Sequence, residues 1–220
     1  MAFPESLGAA AHSNRRRDAK REAILRGART VFLGSGFEGA SMDTVAARAG
    51  VSKMTVYRHY GSKGSLFAGV ITDLCDHIVD NDLVEIFEQP PRQALAKFAE
   101  KMIAITFAPD TIGLHRVVIA ESHRFPQLGR LFYGAGPEVC IAALEGYFRR
   151  TKGQRGFKVR NPRRSAEEFL ELLRGYAHLR VLLGIDKQPS TKEIRERIDS
   201  AIRHVLDVGP LKVSIRTDKA

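Results

Sequence analysis

Six side chains within eleven residues, Lys53, Thr55, Tyr57, Arg58, His59 and Lys63, carry hydroxyl, guanidinium, imidazole or ammonium groups. An apolar core has no use for such groups at this density. A phosphodiester backbone does, because hydroxyls, cations and helix N-termini all bind phosphate oxygens. Met54 lies among them, on the early and exposed part of the same segment, where a base edge is within reach.

The elements that must position these groups are legible around them. Ser41 can accept a hydrogen bond from an early N–H of a first short helix, and Asp43 sits where the helix dipole favours negative charge. Val45, Ala46 and Ala49 share an apolar face, and Gly50 can take the left-handed backbone that ends a helix. Ser52 caps a second helix, Gly61 ends it, and Ser62 caps a third that opens at Lys63. Two short capped helices joined by a tight turn form a helix-turn-helix, with the second helix shaped for a major groove. Tyr57 and Tyr60 are three residues apart, and of the two Tyr60 is assigned to the core.

Gly36-Phe37, Val45-Ala46, Ala49-Gly50-Val51-Ser52, Thr55 to Tyr60 and Lys63 together resemble the N-terminal DNA-binding domain of TetR/AcrR-type transcriptional regulators, over residues 20–67. Through that resemblance Lys53, Met54, Thr55, Tyr57, Arg58, His59 and Lys63 match DNA-contacting positions, and Ser41 and Met42 match the contacts of the preceding helix. Leu114 to Glu121, Arg124-Phe125-Pro126, Phe132-Tyr133 and Gly136-Pro137-Glu138 are similar to the C-terminal domain of the AefR-like branch. One departure is Gly64, where many members carry an acidic residue. The resemblance implies a homodimer on a palindromic double-stranded DNA operator, released when a small molecule binds the C-terminal domain, with no cofactor. The expected function is that of a ligand-responsive repressor, although the sequence does not separate repressor from activator.

The charge distribution agrees. The chain of 220 residues carries a net charge of +10, and residues 15–65 hold 11 Lys/Arg against 4 Asp/Glu. The longer remainder from residue 66 has 24 against 20, so the positive field is concentrated on the helix-turn-helix segment. Two cysteines, Cys75 and Cys140, are too few for a disulfide framework, which points to the cytoplasm. The first residues lack the pattern of a signal peptide, and no apolar run approaches the ~20 residues that span a bilayer.

The expected class is all-α: an N-terminal three-helix helix-turn-helix domain joined to a C-terminal helical bundle with a dimerisation pair. Residues 1–14 read as a disordered arm, 15–65 as the DNA-binding domain, 66–207 as the effector-binding and dimerisation domain, and 208–220 as a tail with a weak β-like run at 211–215. Helix four is expected to run from Lys63 to Asp82 and to join the two domains. Further helices are expected from Pro91 to Thr106, over 114–122, and from Pro126 to Arg150 with an interruption at 134–137. Residues 153–164 read as a basic loop.

Between Ser165 and Leu183 apolar residues fall nearly all round the helix, which needs cover on two sides. With the stripe Ile194, Ile198, Ala201, Ile202 and Val205 it forms a pair that could dimerise as a four-helix bundle, with Phe169, Leu173, Tyr176, Ile198 and Ile202 at the interface; a helix central to its own domain explains the same pattern. Phe98, Met102, Phe107, His115, Tyr133, Tyr176 and His178 are the candidates for an apolar or aromatic effector site, against the reading of each as core. Asp73, Asp76, His77 and Asp80 have metal-ligand spacing but read better as an acidic face. Glu121-Ser122-His123 has the residue types of a hydrolase without a nucleophile elbow, so no catalytic residues are expected. The competing reading is an architectural DNA-binding protein without an effector.

Overall fold

The computed structural model describes residues 6–75 and 81–206, and every regular element in them is an α-helix. In chain order they are α1 (Ser6–Gly39), α2 (Met42–Ala49), α3 (Lys53–Tyr60), α4 (Lys63–Cys75), α5 (Asn81–Glu88), α6 (Pro91–Thr106), α7 (Pro109–Glu121), α8 (Pro126–Ala135), α9 (Pro137–Thr151), α10 (Pro162–Leu182) and α11 (Thr191–Val205). The expected all-α class holds.

Three successive helices begin with the same local chemistry. Ser41, Ser52 and Ser62 each accept the backbone N–H three residues on, at 3.0, 3.2 and 3.1 Å, and each pairs its hydroxyl with that of Thr44, Thr55 or Ser65. Gly50 takes the left-handed conformation (φ 66°) and closes α2. At the other end of the chain Ser190 and Glu193 form a reciprocal capping box on α11.

Several boundaries differ from the sequence reading. α1 reaches back to Ser6, across residues assigned to a disordered arm, and is broken at Gly36, where φ is 71° and ψ −178°. Helix four was expected to reach Asp82; α4 is described as far as Cys75, residues 76–80 lie outside the described residues, and α5 is described from Asn81. A second break, at Gly175 (φ 46°, ψ −157°), interrupts α10 and was not anticipated. The tail from 207, with its β-like run, lies outside the described residues.

The chain forms two compact units, the first from Met1–His77 with Pro109–Glu138, the second from Ile78–Ala108 with Val139–Ala220. The first unit therefore extends beyond residue 65, the boundary expected from the sequence. Its core joins Ile24, Phe32 and Phe37 of α1, Val45 and Val56 of the helix-turn-helix, Leu66 and Phe67 of α4, and Leu114 and Leu128 of α7 and α8. Phe32, Phe37 and Phe67 meet with centroids 5.1 to 6.0 Å apart. In the second unit Leu95, Phe98, Phe148, Ala166, Phe169, Ala201 and Ile202 are fully buried, and Phe87 stacks on Tyr147 at 4.5 Å.

Candidate nucleic-acid interface

α3 is held to the first unit by Val56, which is fully buried, and by Tyr60, which packs against the core. That anchoring turns the rest of the helix outward. Met54 is 75% exposed and Tyr57 41%, and Lys53 and Arg58 are exposed beside them. Large apolar and cationic side chains standing off a short rigid helix are what a groove-reading element needs. Lys53 donates to Asp43 at 2.8 Å, and that bond, with the Asp43 charge, raises its pKa above the usual lysine range. Thr55 is half-buried with its hydroxyl in the Ser52 cap, and His59 is half-buried near Tyr60.

Two expected DNA contacts are placed differently. Met42 is a core residue, 6% exposed, because the first turn of α2 rolls its face onto α1. Lys63 is half-buried: its ammonium donates to the carbonyls of Glu38 and Ala40, at 3.0 and 2.9 Å, and lies 4.8 Å over the Phe37 ring. It satisfies carbonyls at the end of α1, and one N–H remains for a phosphate. Ser41 is exposed, with its hydroxyl in the α2 cap.

The sequence reading missed the groups that set the angle of the helix-turn-helix. At the Gly36 break the N–H groups of Phe37 and Glu38 donate to the two carboxylate oxygens of Glu121, at 2.8 and 2.6 Å. Arg124 grips the Glu38 carboxylate with both guanidinium nitrogens, the second at 2.6 Å. Further up α1, Arg29 donates to Asp73 of α4 at 3.0 Å and to Asp110 of α7 at 3.1 Å. So α7 holds α1 near Asp110 and again at Glu121. Positions 37 and 121 are far apart in sequence, and no local signal joins them.

The expected effector residues fall in both units. In the second unit Met102 and Phe107, with Leu170, Leu173 and Arg174, line a space of about 10 Å³, room for one water. Phe98 is fully buried in the core there, while Tyr176 is 79% exposed. His178 is buried with its ring edge-on to Phe107 at 5.8 Å; burial, helped by the Arg174 charge, pushes its pKa down to about 4. His115 and Tyr133 belong to the first unit, His115 against Phe132 at 4.5 Å and Tyr133 half exposed.

Of the expected dimer residues, Phe169, Leu173, Ile198 and Ile202 are at most 6% exposed within their own chain, so Leu173 and Ile202 are not outward-facing as expected. In and just after α10 the exposed large apolar groups are Tyr176, Leu179, Leu183 and Ile185. Among the described residues no group of His, Cys, Asp and Glu is arranged to hold a metal, and Asp76, His77 and Asp80 lie outside them. No single described helix is long and apolar enough to cross a membrane.

Fold and site together define a helix-turn-helix DNA-binding protein. Residues 24–70 match the bacterial regulatory proteins of the tetR family, and residues 93–208 match the AefR-like transcriptional repressor C-terminal domain. The chain belongs to the TetR family of transcriptional regulators, in its AefR-like branch. It is 41% identical over 63 residues to the HTH-type transcriptional activator FasR of Mycolicibacterium smegmatis, covering 29% of each chain. It is 29% identical over 128 residues to the HTH-type transcriptional regulator RutR of Escherichia coli, covering 58% of this chain and 50% of RutR. The matches thus span half or less of these curated relatives. Among solved structures, a TetR-family regulator from Mesorhizobium loti superposes with a TM-score of 0.70 at 26% identity, over 86% of this chain and 95% of the other. The flavonoid-responsive regulator FrrA does so with a TM-score of 0.63 at 31% identity, over 84% and 93%.

Proposed function

We propose that the protein is a cytoplasmic, homodimeric repressor that binds a palindromic operator through α3 and releases it when a small apolar or aromatic molecule binds. The observation that carries the DNA-binding part is the outward face of α3: Lys53, Met54, Tyr57 and Arg58 stand exposed on a helix fixed by Val56 and a serine cap. Lys53, Met54 and Arg58 are positioned for base edges, and Ser41, Thr55, Tyr57, His59 and the third N–H of Lys63 for the backbone. Dimerisation is assigned to the exposed stripe Tyr176, Leu179 and Leu183 of α10. A catalytic role for Glu121 is disfavoured by its occupation with two backbone N–H groups.

The effector part is supported by the likeness to FrrA, named for its response to flavonoids. A ligand entering the second unit beside Met102, Phe107 and Arg174 would have to open a space that holds about one water. Coupling would run through α4 and α7, which grip α1 at Arg29 and at the Gly36 break.

Selection of genomic fragments on the purified protein tests the reading. An inverted repeat should emerge, Met54→Ala should change the preferred bases, and a flavonoid series should shift operator affinity. Equal affinity for selected and random duplex would defeat it; an operator that no compound shifts would leave the effector-free reading in its place.

A further inference from the structure

Between Glu145 and Glu167 the chain carries eight basic residues and no acidic one: Arg149, Arg150, Lys152, Arg155, Lys158, Arg160, Arg163 and Arg164. Without these eight, the chain from residue 66 onward holds 16 Lys/Arg against 20 Asp/Glu. The excess positive charge of that long region is therefore gathered in the turn between α9 and α10, and the rest of the region is net acidic by count. A merely solvated face would mix the signs.

The turn is built, not slack. Phe157 packs edge-on to Tyr147 at 6.2 Å, Val159 is 6% exposed, and the Lys158 N–H donates to the carbonyl of Val205 at 2.8 Å. Gly153 and Gly156 supply the positive φ angles (83° and 92°) that let so short a segment reverse. Arg149, Arg163 and Arg164 at its two edges pair with Glu145, Glu167 and Glu168. Arg150, Lys152, Arg155 and Arg160 stand exposed in the middle, and none of them forms an ion pair among the described residues. Like charges held together in this way cost free energy unless a polyanion meets them.

From this we propose that the α9–α10 turn is a second, sequence-independent binding surface for duplex DNA, separate from α3. Six of the eight cations are arginines, whose planar forks match phosphate oxygens. No exposed large apolar side chain falls within 149–164. The turn thus lacks the aromatic platform that single strands stack on, the apolar wedge that enters a membrane, and the buried anchor that a protein partner needs. What remains is phosphate charge on a regular surface.

The test uses the full chain with Lys53→Ala and Arg58→Ala to silence α3, so it does not depend on the operator reading. Binding to a random-sequence duplex is followed against salt, with and without Arg150→Gln, Lys152→Gln, Arg155→Gln and Arg160→Gln. At about 0.9 per phosphate contact, the four changes should lower the log–log salt slope by about 2 to 4 and weaken binding at least ~10-fold near ~50 mM salt. Lysine in place of Arg150, Arg155 and Arg160 should keep most of the slope, which separates lost charge from a damaged turn. An unchanged slope in the glutamine variant, or an equal loss in the lysine variant, overturns the proposal. So does binding of phosphatidylserine vesicles or polyglutamate that depends on the four cations while duplex binding does not.

Discussion

Gly36 and Gly175 each interrupt a helix with a positive φ, and the two breaks differ in what fills the space a side chain would take. At Gly36 it is the Glu121 carboxylate, which accepts the N–H groups of the next two residues. At Gly175 it is the Arg197 guanidinium, a donor that cannot accept from a backbone amide. The first break is a bend fixed by hydrogen bonds to the main chain, and it aims the chain into the helix-turn-helix. The second divides α10 by burial. Before it Ala166, Phe169, Leu170 and Leu173 face the core; after it Ala177, His178 and Val181 remain buried while Tyr176, Leu179 and Leu183 are exposed. A bend that must hold an angle is locked to the backbone, whereas one that changes a face is only filled.

The largest effect should come from charge placed on either side of the second break. Leu173 is 2% exposed, so Leu173→Glu buries an unpaired carboxylate and should cost more than about 4 kcal/mol, unfolding the protein near room temperature. Tyr176→Glu, at a 79% exposed position, should keep the unfolding free energy within about 0.5 kcal/mol yet shift sedimentation toward monomer. If both variants fold equally well, the burial assigned to the two halves of α10 is wrong.

Next is the comparison of the glycines themselves. Gly36→Ala meets a backbone region open only to glycine and drives a methyl into a carboxylate already engaged, which should cost about 2–4 kcal/mol. Gly175→Ala carries similar backbone strain, but the obstructing group is the far end of a flexible arginine that can swing away, so about 1–2 kcal/mol is expected. Denaturant unfolding of the two variants gives the order directly.

The helix-turn-helix was legible because its caps, turn glycines and exposed polar groups are local. Ser41, Ser52 and Ser62 each act within three residues of themselves. Met42 was misread for the opposite reason: one turn of rotation decides whether a first-turn side chain faces α1 or solvent, and no spacing rule fixes it. The surplus of apolar residues in α10 led to an expectation of cover on two sides; within the chain one side is buried, and beyond the break at Gly175 Tyr176, Leu179 and Leu183 are exposed. Glu121 was read for its neighbours Ser122 and His123, whereas its partners lie at 37 and 38. The effector candidates were apolar groups at helical spacing, a pattern that core and cavity share.

A smaller effect follows from His178, which lies beyond the second break. Its folded pKa of about 4 lies below the 6.5 of an unburied histidine, so on acidification the unfolded chain takes up the proton first. The stability from keeping His178 neutral is complete above about pH 6.5 and is lost progressively as pH falls to about 4, up to about 3 kcal/mol. His178→Gln should flatten that slope in pH-dependent unfolding. A slope unchanged by the substitution would show that other groups carry it.

The smallest effect, and the most local, should come from Glu121→Gln. A carboxylate accepts both freed amides; a carboxamide has one acceptor oxygen and turns its NH₂ toward the other N–H. One of Phe37 and Glu38 then loses its partner, at about 1–2 kcal/mol, which corresponds to hydrogen exchange about 5- to 30-fold faster at that amide. Arg197→Gln should leave exchange around Gly175 unchanged, since a guanidinium was never accepting there. Operator affinity should also fall in Glu121→Gln, because the chain leaves the Gly36 break directly for α2 and α3, and a looser bend spreads the recognition helix over more orientations. Unchanged exchange at both amides would mean that the bend is held by Phe37 packing against Phe32, Phe67 and Phe125, with Glu121 a bystander.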